Sequence, residues 1–172
     1  MKNFLIGIFI IVLSSCNKNP EINEVVGHKK IIAEIDRFIE DSDKKNKEKF
    51  IVVSGFYDPQ KQKIDILLTN QKPVMITENT AKNNDEIRNS NYGYFTYKNY
   101  EFLVSEKMKN VFKLNYKNFD AMKKHFTVKE KLATKEEAMK NKWRTMYVRF
   151  NTAKDSVEQS NISELSLSDY SN

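Results

Sequence analysis

Cys16 is the single cysteine of the chain. A lone thiol excludes an internal disulfide framework and any cysteine-based zinc cluster, so its chemistry is that of a nucleophile toward an external group. The two histidines do not add a metal site. His28 has Glu24 four residues before it and no further ligand, His125 has no ligand type at helical or strand spacing, and a zinc site needs three or four ligands. Both read as ordinary packed histidines, and no cofactor or metal is expected. Ser54-Gly55 falls inside a β-rich run rather than on a strand-to-helix elbow, which is the wrong setting for a hydrolase serine. Gly55 there marks a bulge or a close packing point. No phosphate-binding glycine loop or dinucleotide fingerprint is present. Glycoside hydrolysis needs only two carboxyl groups at a set separation. The acid pairs Asp85-Glu86 and Glu136-Glu137 are sequence neighbours of the kind that occupies solvated loops and helix starts. The residues best suited to touching a ligand are Tyr92 and Tyr94. Each offers a flat apolar ring and a hydroxyl, and alternation puts both on a strand face with Thr96 and Glu101.

Cys16 has a specific setting. Lys2 is followed by an apolar run from Phe4 to Leu13, then Ser14, Ser15 and Cys16. The run is far shorter than the roughly 20 residues a membrane-spanning helix requires, and its charge, length and small-residue end are those of a secretory signal peptide. Leu13-Ser14-Ser15-Cys16 resembles the lipobox of bacterial lipoproteins. The resemblance covers about a tenth of the chain. It implies that the Cys16 thiol takes a diacylglyceryl group, that residues 1–15 are removed, and that the new amine becomes available for acylation in turn. Two or more acyl chains anchor stably where one does not. Position 17 is Asn rather than Asp, which by the sorting habit of didermal bacteria makes the outer membrane the default. In a Gram-positive host the protein would sit on the outer face of its one membrane.

The composition bounds the rest. The 172 residues are 40% hydrophobic and 30% charged, with a formal net charge of +6. This fits one domain and excludes a disordered chain and a multi-span membrane protein. Four of the 29 cations are Arg and the rest Lys. A nucleic-acid reader relies more on bidentate Arg, and a secreted chain does not meet nucleic acid, so no nucleic-acid partner is expected. The Lys-rich stretches read as solvated faces.

The elements that would position these residues are legible from periodicity. Val25, Val26, His28, Ile31, Ile32, Ile35, Phe38 and Ile39 predict an amphipathic helix over Glu24 to Asp41. Lys49–Tyr57 and Lys63–Asn70 predict a hairpin around Asp58-Pro59-Gln60-Lys61. Pairing Val53 with Ile66 gathers Ile51, Val53, Ile64, Ile66 and Leu68 on one face. The first of these strands is apolar on both faces and reads as central. Tyr92–Tyr97 and Tyr100–Ser105 predict a second hairpin around Lys98-Asn99, with Phe95, Tyr97, Tyr100, Phe102 and Val104 on one face. Short strands are expected at Val74–Thr77 and Val111–Tyr116, a short helix at Phe119–Phe126 with Asn118 as its cap, a helix start at Thr134-Lys135-Glu136-Glu137, and a last strand at Trp143–Thr152. Residues 155–172 hold four acids, six Ser and no Lys or Arg, and read as a flexible acidic tail.

The expected fold class is α+β: an N-terminal amphipathic helix packed on an antiparallel sheet of about five or six strands, in an order similar to cystatin-like or nuclear-transport-factor-like folds. The expected organisation is a leader over 1–15, a lipidated tether over 16–23, one domain over 24–154 and the tail. The expected function is that of a lipid-anchored, non-catalytic binding protein of the cell envelope, held to the membrane through Cys16, with a protein or glycan partner. An envelope inhibitor or immunity-type protein and a carboxylate-dependent glycan hydrolase are the alternatives.

Overall fold

The computed structural model describes residues 21–43, 49–70, 89–122, 125 and 142–166. The leader, Cys16, the expected strand at 74–77 and the helix start at 134–137 lie outside the described residues.

One seven-stranded sheet organises the molecule, with spatial order β5-β3-β4-β1-β2-β6-β7. Its strands are β1 (Phe50–Asp58), β2 (Lys63–Thr69), β3 (Asn91–Tyr97), β4 (Tyr100–Ser105), β5 (Lys117–Asn118), β6 (Lys142–Asn151) and β7 (Ser156–Ser166). Among the described residues it is accompanied by the helices α1 (Ile22–Val25), α2 (Lys29–Asp43) and α3 (Phe119–Met122), with a 3₁₀ turn at Glu106–Met108. The expected fold class is therefore corrected. Strands take up about half of the described residues and the helices are short. The sheet is mixed, because β1 and β4 run parallel through Ile51↔Phe102 and Val53↔Val104 while every other pair is antiparallel. The physical reason is long-range. Each hairpin could be read from its own alternation, but nothing local specifies that the second hairpin docks beside β1 instead of extending the meander.

The single helix expected over 24–41 is likewise two pieces. Val26 is extended and bridges to Phe112, and the Lys113 N–H donates to the Val25 carbonyl at 2.8 Å. The chain restarts as α2 after Gly27 and His28, whose carbonyl accepts from Ile31 at 3.0 Å. The apolar spacing carries through the break, which is why periodicity alone joins the two segments. Ile31, Ile32, Ile35, Phe38 and Ile39 of α2 lie in one buried cluster with Ile51, Val53, Ile64, Ile66, Leu68, Phe102, Met146, Val148 and Phe150.

The two hairpins are built by their turns. Asp58 Oδ1 accepts from the Gln60 and Lys61 N–H groups at 3.0 and 3.1 Å, and Gln62 closes the loop in the left-handed region (φ 51°). The resulting register pairs Val53 with Leu68 and Tyr57 with Ile64, two residues from the expected one. A slip of two preserves which side chains share a face. In the second hairpin Lys98 and Asn99 both take positive φ (49° and 63°), the geometry of the tight turn that matches strand twist. Tyr97 pairs with Tyr100. Residues 111–116 form no strand; Val111 and Phe112 donate to the Met108 carbonyl and the chain reaches β3 only at Lys117–Asn118. The helix expected over 119–126 is described over Phe119–Met122, with Asn118 Oδ1 accepting from the Ala121 N–H at 3.1 Å.

The flexible tail is the other correction. Ser156–Ser166 is β7, paired along its length with β6 from Lys142↔Ser166 to Asn151↔Ser156. Its composition resembles a tail because neither of its faces is mainly apolar. One is largely solvated, and the other sets Val157 and Ile162 against the core between positions that meet polar side chains of α2. Ser160 Oγ donates to Glu34 Oε2 at 2.6 Å, and Arg37 Nη2 donates to Ser160 Oγ at 3.0 Å.

Candidate functional site

Alternation and register fix which side chains lie on the sheet face away from α2. Ile64, Ile66 and Leu68 of β2 and Met146, Val148 and Phe150 of β6 are buried with α2. The intervening residues must point the other way. Two cross-strand rows result. Ser54, Leu67, Tyr147 and Asn161 form one, and Phe56, Asp65, Arg149 and Gln159 form the next, each running β1-β2-β6-β7. At ordinary strand spacing this is a patch of about 15 Å by 7 Å. Phe56 is 55% exposed and Leu67 38%, the two large apolar side chains singled out by their exposure among the described residues.

Next to both lies a buried charge. Asp65 is 8% exposed. Arg149 Nε donates to Asp65 Oδ1 at 2.8 Å and Arg149 Nη2 to Oδ2 at 3.3 Å, while the Tyr147 hydroxyl donates to Oδ1. Burial opposes ionisation of Asp65, but the Arg149 and Tyr147 hydrogen bonds outweigh it and hold the carboxyl below its ordinary range. Burial first, and then the bond to Asp65, pushes the Tyr147 phenol up, so it stays neutral. The guanidinium also lies 5.6 Å from the centre of the Tyr147 ring. At neutral pH the three groups form a charge-balanced network: an acceptor, a cation and a neutral hydroxyl. It fixes Tyr147 and Arg149 in one orientation next to Phe56 and Leu67.

Tyr92 and Tyr94 lie on this same side of the sheet, on β3. They pack against a second, smaller core of Phe50, Leu103, Phe119 and Met122. Both are half-buried. One face of the Tyr94 ring is stacked on His125, with centroids 3.7 Å apart and 22° between planes. Burial first, and then Glu101 by charge and hydrogen bond, raises the Tyr94 phenol above its usual value. The structure sets Tyr92 and Tyr94 against one small core and spends one face of the Tyr94 ring on packing with His125. His28 stands before α2 with its ring 4.9 Å from Phe150 and Nδ1 3.7 Å from Asp155. Cys16 and the pairs Asp85-Glu86 and Glu136-Glu137 lie outside the described residues. Among the described residues no cluster of three or more metal-ligating side chains is present, and no helix is long and apolar enough to cross a membrane.

Alternation along the first hairpin predicts a common face for Phe56 and Leu67, but nothing local connects them to Tyr147 and Arg149. The signal that would have done so is Asp65, an acid in the middle of an otherwise apolar strand. Compared with protein-family models, with curated proteins and with solved structures, the chain finds no match.

Proposed function

We propose that this chain is a lipid-anchored, non-catalytic binding protein of the bacterial cell envelope. It is tethered through Cys16 and engages a protein partner through the sheet face that carries Phe56, Leu67, Tyr147 and Arg149. The anchor rests on the run Phe4–Leu13 followed by Leu13-Ser14-Ser15-Cys16. The binding reading rests on one observation: two large apolar side chains, diagonal neighbours on β1 and β2, are exposed together on a sheet face beside a locked Asp65-Tyr147-Arg149 network. Exposed apolar groups cost solubility unless a surface covers them. Tyr and Arg anchors are the residues that dominate protein contacts, and fixing them in advance lowers the ordering cost of binding. The flanking Ser54, Asn161 and Gln159 supply adaptable hydrogen bonds. An exposed sheet face favours another folded protein over a small molecule, which needs a concave site. An inhibitor or immunity-type protein would use the same face, with a secreted enzyme or toxin as partner.

Replacing Cys16 with Ala should move the chain from the membrane to the soluble fraction in its native host, and unchanged fractionation would refute the anchor. For the face, the partner cross-linked to wild-type protein is identified, purified and titrated. Phe56→Glu with Leu67→Glu should leave the melting temperature unchanged, because both side chains are exposed, and should weaken the one-to-one complex at least tenfold. Equal affinity of the double variant would refute the face.

A further inference from the structure

β7 ends the sheet, and no strand among the described residues pairs with its outer edge. It runs 11 residues, Ser156–Ser166. Natural sheet edges are kept from pairing by Lys, by Pro, by bulges or by being short. β7 holds no Lys and no Pro, and its irregularity lies near its start, opposite Arg149 and Phe150. From Gln159 to Ser166 its ladder with β6 is regular. An open row of backbone donors and acceptors of this length is a template for a further strand. We propose that the strand it takes is β7 of a second copy of this chain, paired antiparallel about a twofold axis at Ile162.

The backbone fixes which residues can pair. Arg37 Nη2 reaches the Ser160 carbonyl at 3.4 Å from α2, so that carbonyl is turned away from β6. In an antiparallel ladder the N–H and C=O of one residue point to the same side, and the side alternates along the strand. Ser160, Ile162 and Glu164 therefore offer their backbone groups outward. A twofold axis at Ile162 pairs Ile162 with its own copy and Ser160 with Glu164, and closes about six backbone hydrogen bonds.

Charge selects the second copy and this register. Arg37 Nη2 also donates to Ser160 Oγ at 3.0 Å, and its side chain is 47% exposed. Glu164 of the second copy stands directly opposite Ser160 on that same face, so each Arg37 meets a carboxylate across the seam. Lys142 and Arg144 of its own chain lie 3.1 Å and 3.8 Å from the two oxygens of Glu164. A carboxylate oxygen accepts more than one bond, so Arg37 adds to that cluster without displacing it. Centring on Asn161 would set Glu158 against Glu164, and centring on Ser160 would bring the two Arg37 side chains together. Like charges so placed are destabilising. The twofold axis is perpendicular to the sheet, so both copies turn the Phe56 face to the same side. Neither the anchor nor the partner face is needed for this pairing.

The test is sedimentation equilibrium of the full chain in a density-matched detergent. Wild type should be a concentration-dependent dimer. The variants are made at Asn161 and Ser163, which are exposed on the face away from α2. The proposed register sets Asn161 directly against Ser163 of the second copy. Asn161→Lys with Ser163→Lys puts two like-charged pairs at the seam and should weaken the dimer about tenfold with an unchanged circular dichroism spectrum. Asn161→Lys with Ser163→Glu puts two opposite pairs there and should dimerise at least as tightly as wild type. In a Cys16→Ala background, Asn161→Cys mixed with Ser163→Cys should form an intermolecular disulfide, because facing Cα atoms in such a pair stand about 4.5 Å apart. Cys16→Ala alone, and Phe56→Glu with Leu67→Glu, should dimerise as wild type does, which separates this edge from the anchor and from the partner face. A monomer at every concentration overturns the proposal, including one whose β7 amides gain protection only when another protein is added. Equal dimerisation of the two charge variants overturns it as well, and so does a dimer lost in Cys16→Ala or in Phe56→Glu with Leu67→Glu.

Discussion

Gly55 has a role that its neighbours could not fill. It sits in the middle of β1 with φ +143°, and a Cβ at that position would stand 2.0 Å from the Asp65 carbonyl oxygen of β2 and 3.0 Å from Met108 Sδ. The first of these contacts is backbone, so no rotamer change relieves it. Gly55→Ala is expected to destabilise the fold by about 2–4 kcal/mol through strain and overpacking. Gly27 has nothing within 4 Å of its would-be Cβ, so Gly27→Ala should stay within about 0.5 kcal/mol of wild type. Urea unfolding followed by circular dichroism reads both, and equal effects at the two positions would remove the argument. The close approach at Gly55 was legible, because a glycine inside a β-rich run has few other uses. The network beside it was not. Tyr147 and Arg149 lie 82 and 84 residues from Asp65, and only the β2–β6 register brings them together.

Elements were legible to the extent that one periodicity governs them. The β3–β4 hairpin has the expected pairing and faces because its strands alternate cleanly and its turn is two residues long. The β1–β2 register moved by two without changing a face. β7 escaped notice because an edge strand half-covered by polar helix side chains carries no apolar stripe. That construction makes a prediction. The α2 contacts hold the middle of β7 through Arg37, Glu34 and Ser160, while Lys63 pairs with Glu158 at 2.7 Å nearer its start. Edge strands open first when their side contacts are lost. Arg37→Ala is expected to cost about 0.5–1 kcal/mol, a modest figure because the side chain is partly solvated. It should also speed amide exchange over Val157–Ile162 while leaving β1 and β2 unchanged. Uniform acceleration across the sheet would mean that α2 supports the whole core and has no particular hold on β7.

At the scale of the whole molecule, the carboxylates that tie distant elements together titrate as a set. Asp43, at the end of α2, accepts from Lys49 at 2.5 Å and from the buried Tyr100 hydroxyl at 2.7 Å, and the Lys49 bond, then that of Tyr100, holds it below its ordinary value. Asp58 is lowered first by the Lys61 N–H in the β1–β2 turn. Glu158 is lowered by Lys63 and then Asn151, linking β7 to β2 and β6. Asp65 joins β2 to β6, with its hydrogen bonds overcoming burial. In each case the folded chain holds its proton less tightly than the unfolded chain, whose values are near 3.8 for Asp and 4.5 for Glu. The stabilisation is therefore fully present above those values and is lost as pH falls through the lower folded ones. The melting temperature should be nearly flat from about pH 5 to 8 and fall steeply below about pH 4. Net charge contributes to that fall as well, because protonating 23 acids leaves 29 cations to repel one another. Asp65→Asn separates the two causes. It removes one linked site and changes the low-pH charge of the folded chain hardly at all. The variant should melt lower at neutral pH, since Arg149 loses its carboxylate, and should lose less further stability between pH 5 and pH 2.5 than wild type does. If the two acid limbs run parallel, general repulsion drives the transition and the Asp65-Tyr147-Arg149 network contributes nothing to it.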